Sequence, residues 1–113
     1  MKPLVGQVGL GIMGGAFAKH LLAARFPVVG YDPVVAQVRA FRRRGGQGAS
    51  SCAEVASRAK IFITSLPSPA AMEEAYFGKN GIAAGVRPGT IVIEASTMTL
   101  ELKERLRRRL ARR

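Results

Sequence analysis

The chain is short of the residues that disulfides and metal sites require. One of its 113 residues is cysteine, Cys52, and one is histidine, His20. A single thiol closes no internal disulfide, which fits a reducing, cytoplasmic setting. His20 reads as a solvated helix residue, and no metal site is expected. No apolar run approaches the about 18 residues needed to cross a bilayer, so no membrane partner is expected. The opening Met1-Lys2-Pro3 passes at once into a strand-like run, without the long apolar segment and small-residue cleavage site of a secretory signal. Repeats, low-complexity tracts and linkers are absent, and the length allows one domain.

Acids are scarce as well. Seven Asp and Glu face 18 Lys and Arg, for a net charge of +11. The basic residues gather at Arg42-Arg43-Arg44 and between Lys103 and Arg113. A nucleic-acid partner could use such clusters. Aromatics make up only 6% of the chain, however, and none interleave with the basic residues to offer stacking. Both clusters fall where helices are expected to end, and cations there complement the helix dipole. The charge therefore reads as helix chemistry, and nucleic acid is not expected as a partner.

What is present is concentrated between residues 4 and 32. Leu4-Val5-Gly6-Gln7-Val8 is short, apolar and strand-like. It leads into Gly9-Leu10-Gly11-Ile12-Met13-Gly14, then a helix-forming stretch to about Ala24. A second apolar run, Val28-Val29-Gly30-Tyr31, ends in Asp32. Strand, glycine-rich turn, helix, strand and acid is the order a dinucleotide-binding βαβ unit needs. Gly9 permits the tight turn. Gly11, without a side chain, lets backbone amides approach a pyrophosphate. Gly14 lets the helix lie close to the sheet. A helix starting near Ile12 aims its unpaired N–H groups and positive dipole end at the phosphates. Asp32, roughly 20 residues beyond the turn, can accept hydrogen bonds from the adenosine ribose and repel a 2′-phosphate. No Lys or Arg follows at Pro33, Val34, Val35 or Ala36 to receive such a phosphate. NAD is therefore expected ahead of NADP.

The remaining pattern alternates. Met13, Phe17 and Leu21, with Ala16 and Ala24, predict the buried stripe of the first helix. That helix should end near Arg25, in a left-handed position glycine usually takes. Pro33 is expected in the first turn of a second helix that runs through Val38 and Phe41 to Gly45-Gly46. A short strand from Gln47 to Ala49 follows. Ser51-x-x-Glu54 predicts a capping box and a helix to about Arg58. Lys60 to Leu66 is near-continuously apolar, the pattern of a parallel strand buried on both faces. Ser68 and Pro69 open the next helix, with Met72, Ala75 and Tyr76 inward and Gly78 at its end. Turns are expected at Asn80-Gly81 and Pro88-Gly89. Thr90 to Glu94 is the fifth strand. Thr99 caps a final helix carrying Leu102, Leu106 and Leu110. The expected fold is α/β: a Rossmann-type, doubly wound parallel sheet of order 3-2-1-4-5.

These motifs together resemble the β-hydroxyacid dehydrogenase family, which includes 3-hydroxyisobutyrate dehydrogenase, tartronate semialdehyde reductase and 6-phosphogluconate dehydrogenase. Gly9-Leu10-Gly11-Ile12-Met13-Gly14 is similar to that family's fingerprint, with Met before the third glycine. Ser65-Leu66-Pro67-Ser68 resembles its Leu-Pro loop after the fourth strand. Glu94-Ala95-Ser96-Thr97 resembles its Asp-x-Ser-Thr segment after the fifth, with Glu94 in place of Asp. The resemblance covers nearly the whole chain. It implies that Leu66 and Pro67 line the nicotinamide side, that Thr97 contacts the nicotinamide ribose or amide, and that Ser96 holds a substrate carboxylate. Taken on spacing alone, Ser96 and Thr97 are equally readable as helix-capping residues, and Leu66-Pro67 as a strand terminator.

The resemblance also implies what is missing. The family's catalytic lysine sits on a later helix in a G-x-x-G-x-G-x-x-x-K-x-x-N context, which surrounds none of Lys2, Lys19, Lys60, Lys79 or Lys103. The family's sixth strand and all-helical second domain are absent too. The expected function is cofactor binding for an NAD-dependent hydroxyacid dehydrogenase, with a small-molecule hydroxyacid as substrate of the full enzyme and no turnover by this chain alone. An exposed sheet edge and apolar patch predict self-association. An NADPH-dependent semialdehyde reductase and a non-enzymatic dinucleotide-sensing module are the alternatives. Titration with both cofactors separates the first; redox-dependent partner binding without turnover would mark the second.

Overall fold

A computed structural model describes residues 2–112; Met1 and Arg113, and hence the last residue of the C-terminal basic run, lie outside the described residues. The elements are β1 (Val5–Val8), α1 (Ile12–Ala23), β2 (Val28–Tyr31), α2 (Val35–Arg43), β3 (Gln47–Gly48), α3 (Cys52–Arg58), β4 (Ile61–Thr64), α4 (Pro69–Phe77), α5 (Ile82–Gly85), β5 (Ile91–Glu94) and α6 (Leu100–Ala111). The five strands form one sheet in the order β3-β2-β1-β4-β5, and every pairing is parallel. The Rossmann-type order expected from the alternating pattern is the one observed.

Two apolar layers sandwich the sheet. On one side Leu10, Ala18, Val28 and Phe41 cluster with Leu21, Leu22, Phe26 and Val38, joining α1 and α2 to the sheet. On the other, Val8, Val29, Val55, Phe62, Met72, Tyr76, Ile82 and Leu106 join α3, α4, α5 and α6. The change of side at β1/β4 is the point where strand order reverses, and such folds open a crevice there.

Local chemistry sets the ends. α1 closes with Arg25 in the left-handed region, at φ 68°, while the Phe26 N–H donates to the Leu21 carbonyl and the Arg25 N–H to that of Leu22. Holding a residue with a Cβ there costs about 1 kcal/mol. Ser51, Ser68 and Thr99 each accept the N–H three residues on, at the starts of α3, α4 and α6. Arg42 and Arg43 lie in the last turn of α2, and Arg108 and Arg109 in that of α6, where cations suit the dipole.

Five expectations need correction. The fully buried residues of α1 are Gly14 and Ala18; of the expected stripe only Leu21 packs on the core, while Met13, Ala16 and Ala24 are exposed and Phe17 is half-buried. The helix lies so close to the sheet that its smallest residues face inward, and a stripe weighed by side-chain size picks the neighbouring face. Pro33 stands outside α2, because the Asp32 carboxylate accepts the Val34 N–H and holds Pro33 in a turn before the helix. The capping box is half formed. Ser51 accepts from the Glu54 N–H, but the Glu54 carboxylate turns to the Ser50 N–H and hydroxyl, which hold its pKa below the ordinary range. β4 is buried on one face only. Phe62 and Thr64 are buried while Ile61 and Ile63 are half-exposed, since α4 to α6 all pack on the other side. Finally, α5 follows Asn80-Gly81, in a stretch too short for its periodicity to be read.

Candidate dinucleotide-binding site

The carboxyl ends of β1, β2, β4 and β5 surround a cavity of about 700 Å³. That volume lies in the range of small-molecule sites. Its floor is the turn between β1 and α1. Gly9 has φ +93°, and a Cβ there would stand 2.0 Å from the Ser65 carbonyl oxygen. A Cβ on Gly14 would stand 1.9 Å from the Gly9 carbonyl oxygen. Both positions therefore exclude a side chain because the chain packs against itself. Gly11 differs: a Cβ there would meet nothing within 4 Å. Its missing side chain leaves space in the cavity.

That space lies at the start of α1. The first turn of any helix leaves its N–H groups without intrahelical partners. α3, α4 and α6 meet this need with a Ser or Thr hydroxyl. The N-cap of α1 is Gly11, which has none. Gly11, Ile12, Met13 and Gly14 all border the cavity, so the uncapped, electropositive helix end opens onto it. Vacant space above a glycine and a turn of free amides fit a diphosphate.

Asp32 stands across from this turn, at the end of β2. Its Oδ2 accepts the Leu10 N–H at 2.8 Å and its Oδ1 the Val34 N–H at 2.8 Å. Two backbone donors fix the carboxylate plane, and each oxygen keeps a lone pair for another donor. Leu10 does not border the cavity. Its side chain is buried in the α1–α2 cluster, so its part is played by the backbone amide.

On the far side, Leu66 and Pro67 after β4 and Ser96 and Thr97 after β5 border the same cavity. Ser96 is buried, and its Oγ accepts the Leu66 N–H at 2.6 Å. The fold thus brings Gly9, Gly11, Ile12, Met13, Gly14, Asp32, Leu66, Pro67, Ser96 and Thr97 together around one space, although up to 88 positions separate them in the chain. Sequence reading missed the wall between Asp32 and α4, made by Tyr31, Ser50, Ser51, Cys52, Lys79 and Asn80. The turn at Asn80, with φ 58°, was the one signal, since Asn-Gly marked a turn there. Burial pushes the Cys52 thiol up to about 11, with the Asp32 charge adding to the shift and a backbone hydrogen bond opposing it, so the thiol stays protonated near neutrality.

A doubly wound parallel sheet with a glycine turn, an uncapped helix end and an acid at the switch point defines a dinucleotide-binding domain of the Rossmann type. The family model for the NAD binding domain of 6-phosphogluconate dehydrogenase matches residues 4–113. The chain belongs to that family. It is 40% identical over 105 residues to mitochondrial 3-hydroxyisobutyrate dehydrogenase of Mus musculus, covering 93% of this chain and 31% of that protein. It is 37% identical over 111 residues to L-threonate dehydrogenase of Cupriavidus necator, covering 98% of this chain and 37% of that protein. Among solved structures, Mycobacterium tuberculosis 3-hydroxyisobutyrate dehydrogenase with L-serine superposes with a TM-score of 0.89 at 25% identity, over 99% of this chain and 38% of that one. Psf3 in complex with NADP+ and 2-OPP also gives 0.89, at 28% identity, over 96% and 38%. The chain thus spans about a third of the length of the relatives it matches.

Proposed function

We propose that this chain binds NAD and forms the cofactor half of an oxidoreductase acting on a β-hydroxyacid of the 3-hydroxyisobutyrate kind. The observation that carries this reading is the pairing of free space at Gly11 with the uncapped start of α1. The amides of Ile12, Met13 and Gly14 donate to the diphosphate there, and Gly11 admits it. Asp32, held by Leu10 and Val34, turns its remaining lone pairs to the two ribose hydroxyls and repels a 2′-phosphate. Leu66 and Pro67 flank the nicotinamide, and Thr97 contacts its ribose or amide. The Ser96 oxygen already accepts from Leu66, so its hydroxyl proton is available to donate to a substrate carboxylate. The bound cofactor supplies the hydride-transfer chemistry.

The chain carries no lysine in the family's catalytic context, and general acid–base help contributes about 10²–10⁴-fold. Binding without hydroxyacid turnover is the expected behaviour of this polypeptide by itself. An enzyme-like rate of 3-hydroxyisobutyrate oxidation by the purified chain would overturn that. One related structure holds NADP+, which favours NADPH as the second reading. Calorimetric titration with NAD and NADP, on the unmutated chain and on Asp32→Ala, decides between them. We expect NAD to bind at least about tenfold more tightly and the mutation to erase the preference; tighter NADP binding by the unmutated chain would refute the role given to Asp32. With one buried cysteine, Cys52, the cytoplasm is the setting we favour. No helix among the described residues is long and apolar enough to cross a membrane.

A further inference from the structure

Behind the cavity wall lies a hydrogen-bonded set of side chains to which no role has yet been given. Tyr76 on α4 and Thr64 at the end of β4 are both fully buried. The Tyr76 hydroxyl and Thr64 Oγ1 are 2.7 Å apart. Thr64 Oγ1 in turn donates to Glu94 Oε2, and the Tyr76 hydroxyl stands 3.5 Å from the same oxygen. Glu94 Oε1 accepts the Ser96 N–H at 2.5 Å. From Ser96 the chain of contacts returns to β4, since its Oγ accepts the Leu66 N–H.

The proton directions follow from the inventory of donors. A carboxylate only accepts, so the Thr64 hydroxyl must give its proton to Glu94. Thr64 Oγ1 must then accept from Tyr76. Burial raises the Tyr76 phenol well above the ordinary tyrosine range, so it stays protonated, and a donor, near neutral pH. The path therefore runs in one sense, from Tyr76 to Thr64 to Glu94, with Ser96 held from the other side. Glu94, Thr64 and Tyr76 do not border the cavity, whereas Ser96 and Leu66 do. Glu94 thus adds a further tie between two loops joined near the site by the Ala95 N–H bond to the Thr64 carbonyl and the Leu66 N–H bond to Ser96 Oγ.

We propose that Glu94, braced by Thr64 and Tyr76, is a positioning residue that clamps the Ser96 loop to the Leu66 loop and so preforms the nicotinamide end of the cavity. The proposal rests on the reading of this cavity as a cofactor site for its functional half; the clamp itself does not. With glutamine at position 94 one oxygen is left for two donors, so either the Ser96 N–H or the Thr64 hydroxyl loses its acceptor and the tie between them is broken. The adenosine end, built on Gly11, the start of α1 and Asp32, shares none of these bonds.

The test uses the whole chain and its Glu94→Gln, Tyr76→Phe and Glu94→Asp variants, with two probes and two readouts. Calorimetry compares NAD with ADP-ribose, which keeps the adenosine and diphosphate and lacks the nicotinamide. Glu94→Gln is expected to weaken NAD binding about tenfold and ADP-ribose binding less than twofold. Tyr76→Phe should give a smaller effect of the same kind. Glu94→Asp keeps a carboxylate near the Ser96 N–H and should recover most of the loss. Equal losses for both ligands, or none, would overturn the positioning role. Amide hydrogen exchange of the unliganded chain reads the clamp directly: in Glu94→Gln the Leu66 and Ser96 amides should exchange at least about tenfold faster, while Val8 and Val29 keep their protection. Unchanged exchange at Leu66 and Ser96 would refute the clamp even if neither ligand binds, and failure of the unmutated chain to bind either ligand would refute only the cofactor reading.

Discussion

Two alanine substitutions three residues apart should separate folding from binding. At Gly14 an added Cβ lies 1.9 Å from the Gly9 carbonyl oxygen and 2.8 Å from its carbon. Relief needs a shift of roughly 1.5 Å between α1 and the turn, because carbon–oxygen contacts settle near 3.4 Å. Such a shift strains the Gln7 Nε2 bond to the Gly9 carbonyl, 3.1 Å long, and the Leu10 N–H bond to Asp32. Overpacking plus weakened hydrogen bonds costs roughly 2–4 kcal/mol. At about 4 °C per kcal/mol for a chain of this size, Gly14→Ala should lower Tm by roughly 8–16 °C. At Gly11 the Cβ meets nothing within 4 Å, and φ is −71°, open to any residue. A loss of roughly 0.5–1 kcal/mol at the cap, where glycine ranks well above alanine, is offset by about as much from the stiffer unfolded chain, so stability should stay within about 1 kcal/mol. Binding should fail nonetheless. The methyl occupies the space reserved for the diphosphate, and forfeiting one or two charge-assisted hydrogen bonds at about 1.5–3 kcal/mol each weakens NAD by tenfold or much more. Thermal unfolding and calorimetry on both variants decide the matter. A folded Gly11→Ala chain that binds NAD like the unmutated one would refute the account of the cavity, and an unchanged Tm in Gly14→Ala would refute the account of the turn.

Further predictions concern the core, the pH response and the surface. Gln7 is fully buried in β1; its Nε2 donates to the Gly9 carbonyl, and its Oε1 has no partner among the described residues. Gln7→Met, which removes both the bond and the orphan acceptor, should change stability by less than about 1.5 kcal/mol in denaturant unfolding. Gln7→Glu sets a carboxylate against two carbonyl oxygens and should cost about 3 kcal/mol or more; equal costs for the two would refute this. The thiol of Cys52 rises from 9.0 unfolded to about 11 folded, and burial raises Tyr76 in the same direction. The unfolded chain gives up these protons first, so stability is full below pH 9 and falls as pH climbs towards 11. Urea midpoints at pH 8, 9 and 10 should show the decline, and Cys52→Ala should flatten part of it; a rising midpoint would contradict the sign. Ile91 and Ile93 project from β5 at 58% and 44% exposure, beside the half-exposed Ile61 and Ile63. We expect the chain to self-associate through this face and Ile91→Lys with Ile93→Lys to suppress it in light scattering. A monomer at high concentration without the substitutions would defeat that expectation.

The order of the elements, α5 apart, was legible because each of the others carries its own local signal. Glycine and proline punctuate the ends, Ser51, Ser68 and Thr99 announce three helix starts, and parallel strands alternating with helices admit few arrangements. The glycine turn and Asp32 could be read for the same reason: their chemistry is set by backbone freedom and by position along one βαβ unit. The inward face of α1 could not. Which of two adjacent stripes is buried depends on how close the helix lies to the sheet, and that distance is decided by the contact of Gly14 with Gly9 across the turn. The solvent-facing side of β4 escaped for a similar reason, since an apolar strand does not state on which face its helices will pack.

The site divides along the same line. The amino acids in order settled the fold type, the glycine turn and the acid at the end of β2, all within reach of local rules. Only the folded arrangement brought Leu66 to Ser96, set Glu94 between Thr64 and Ser96 with Tyr76 behind, and gave Leu10 its part through a backbone amide. The bonds from Thr64 to Glu94 and from Leu66 to Ser96 each span 30 positions, between segments whose adjacency is a property of the sheet, and hydrogen bonds of that reach leave no periodic trace along the chain.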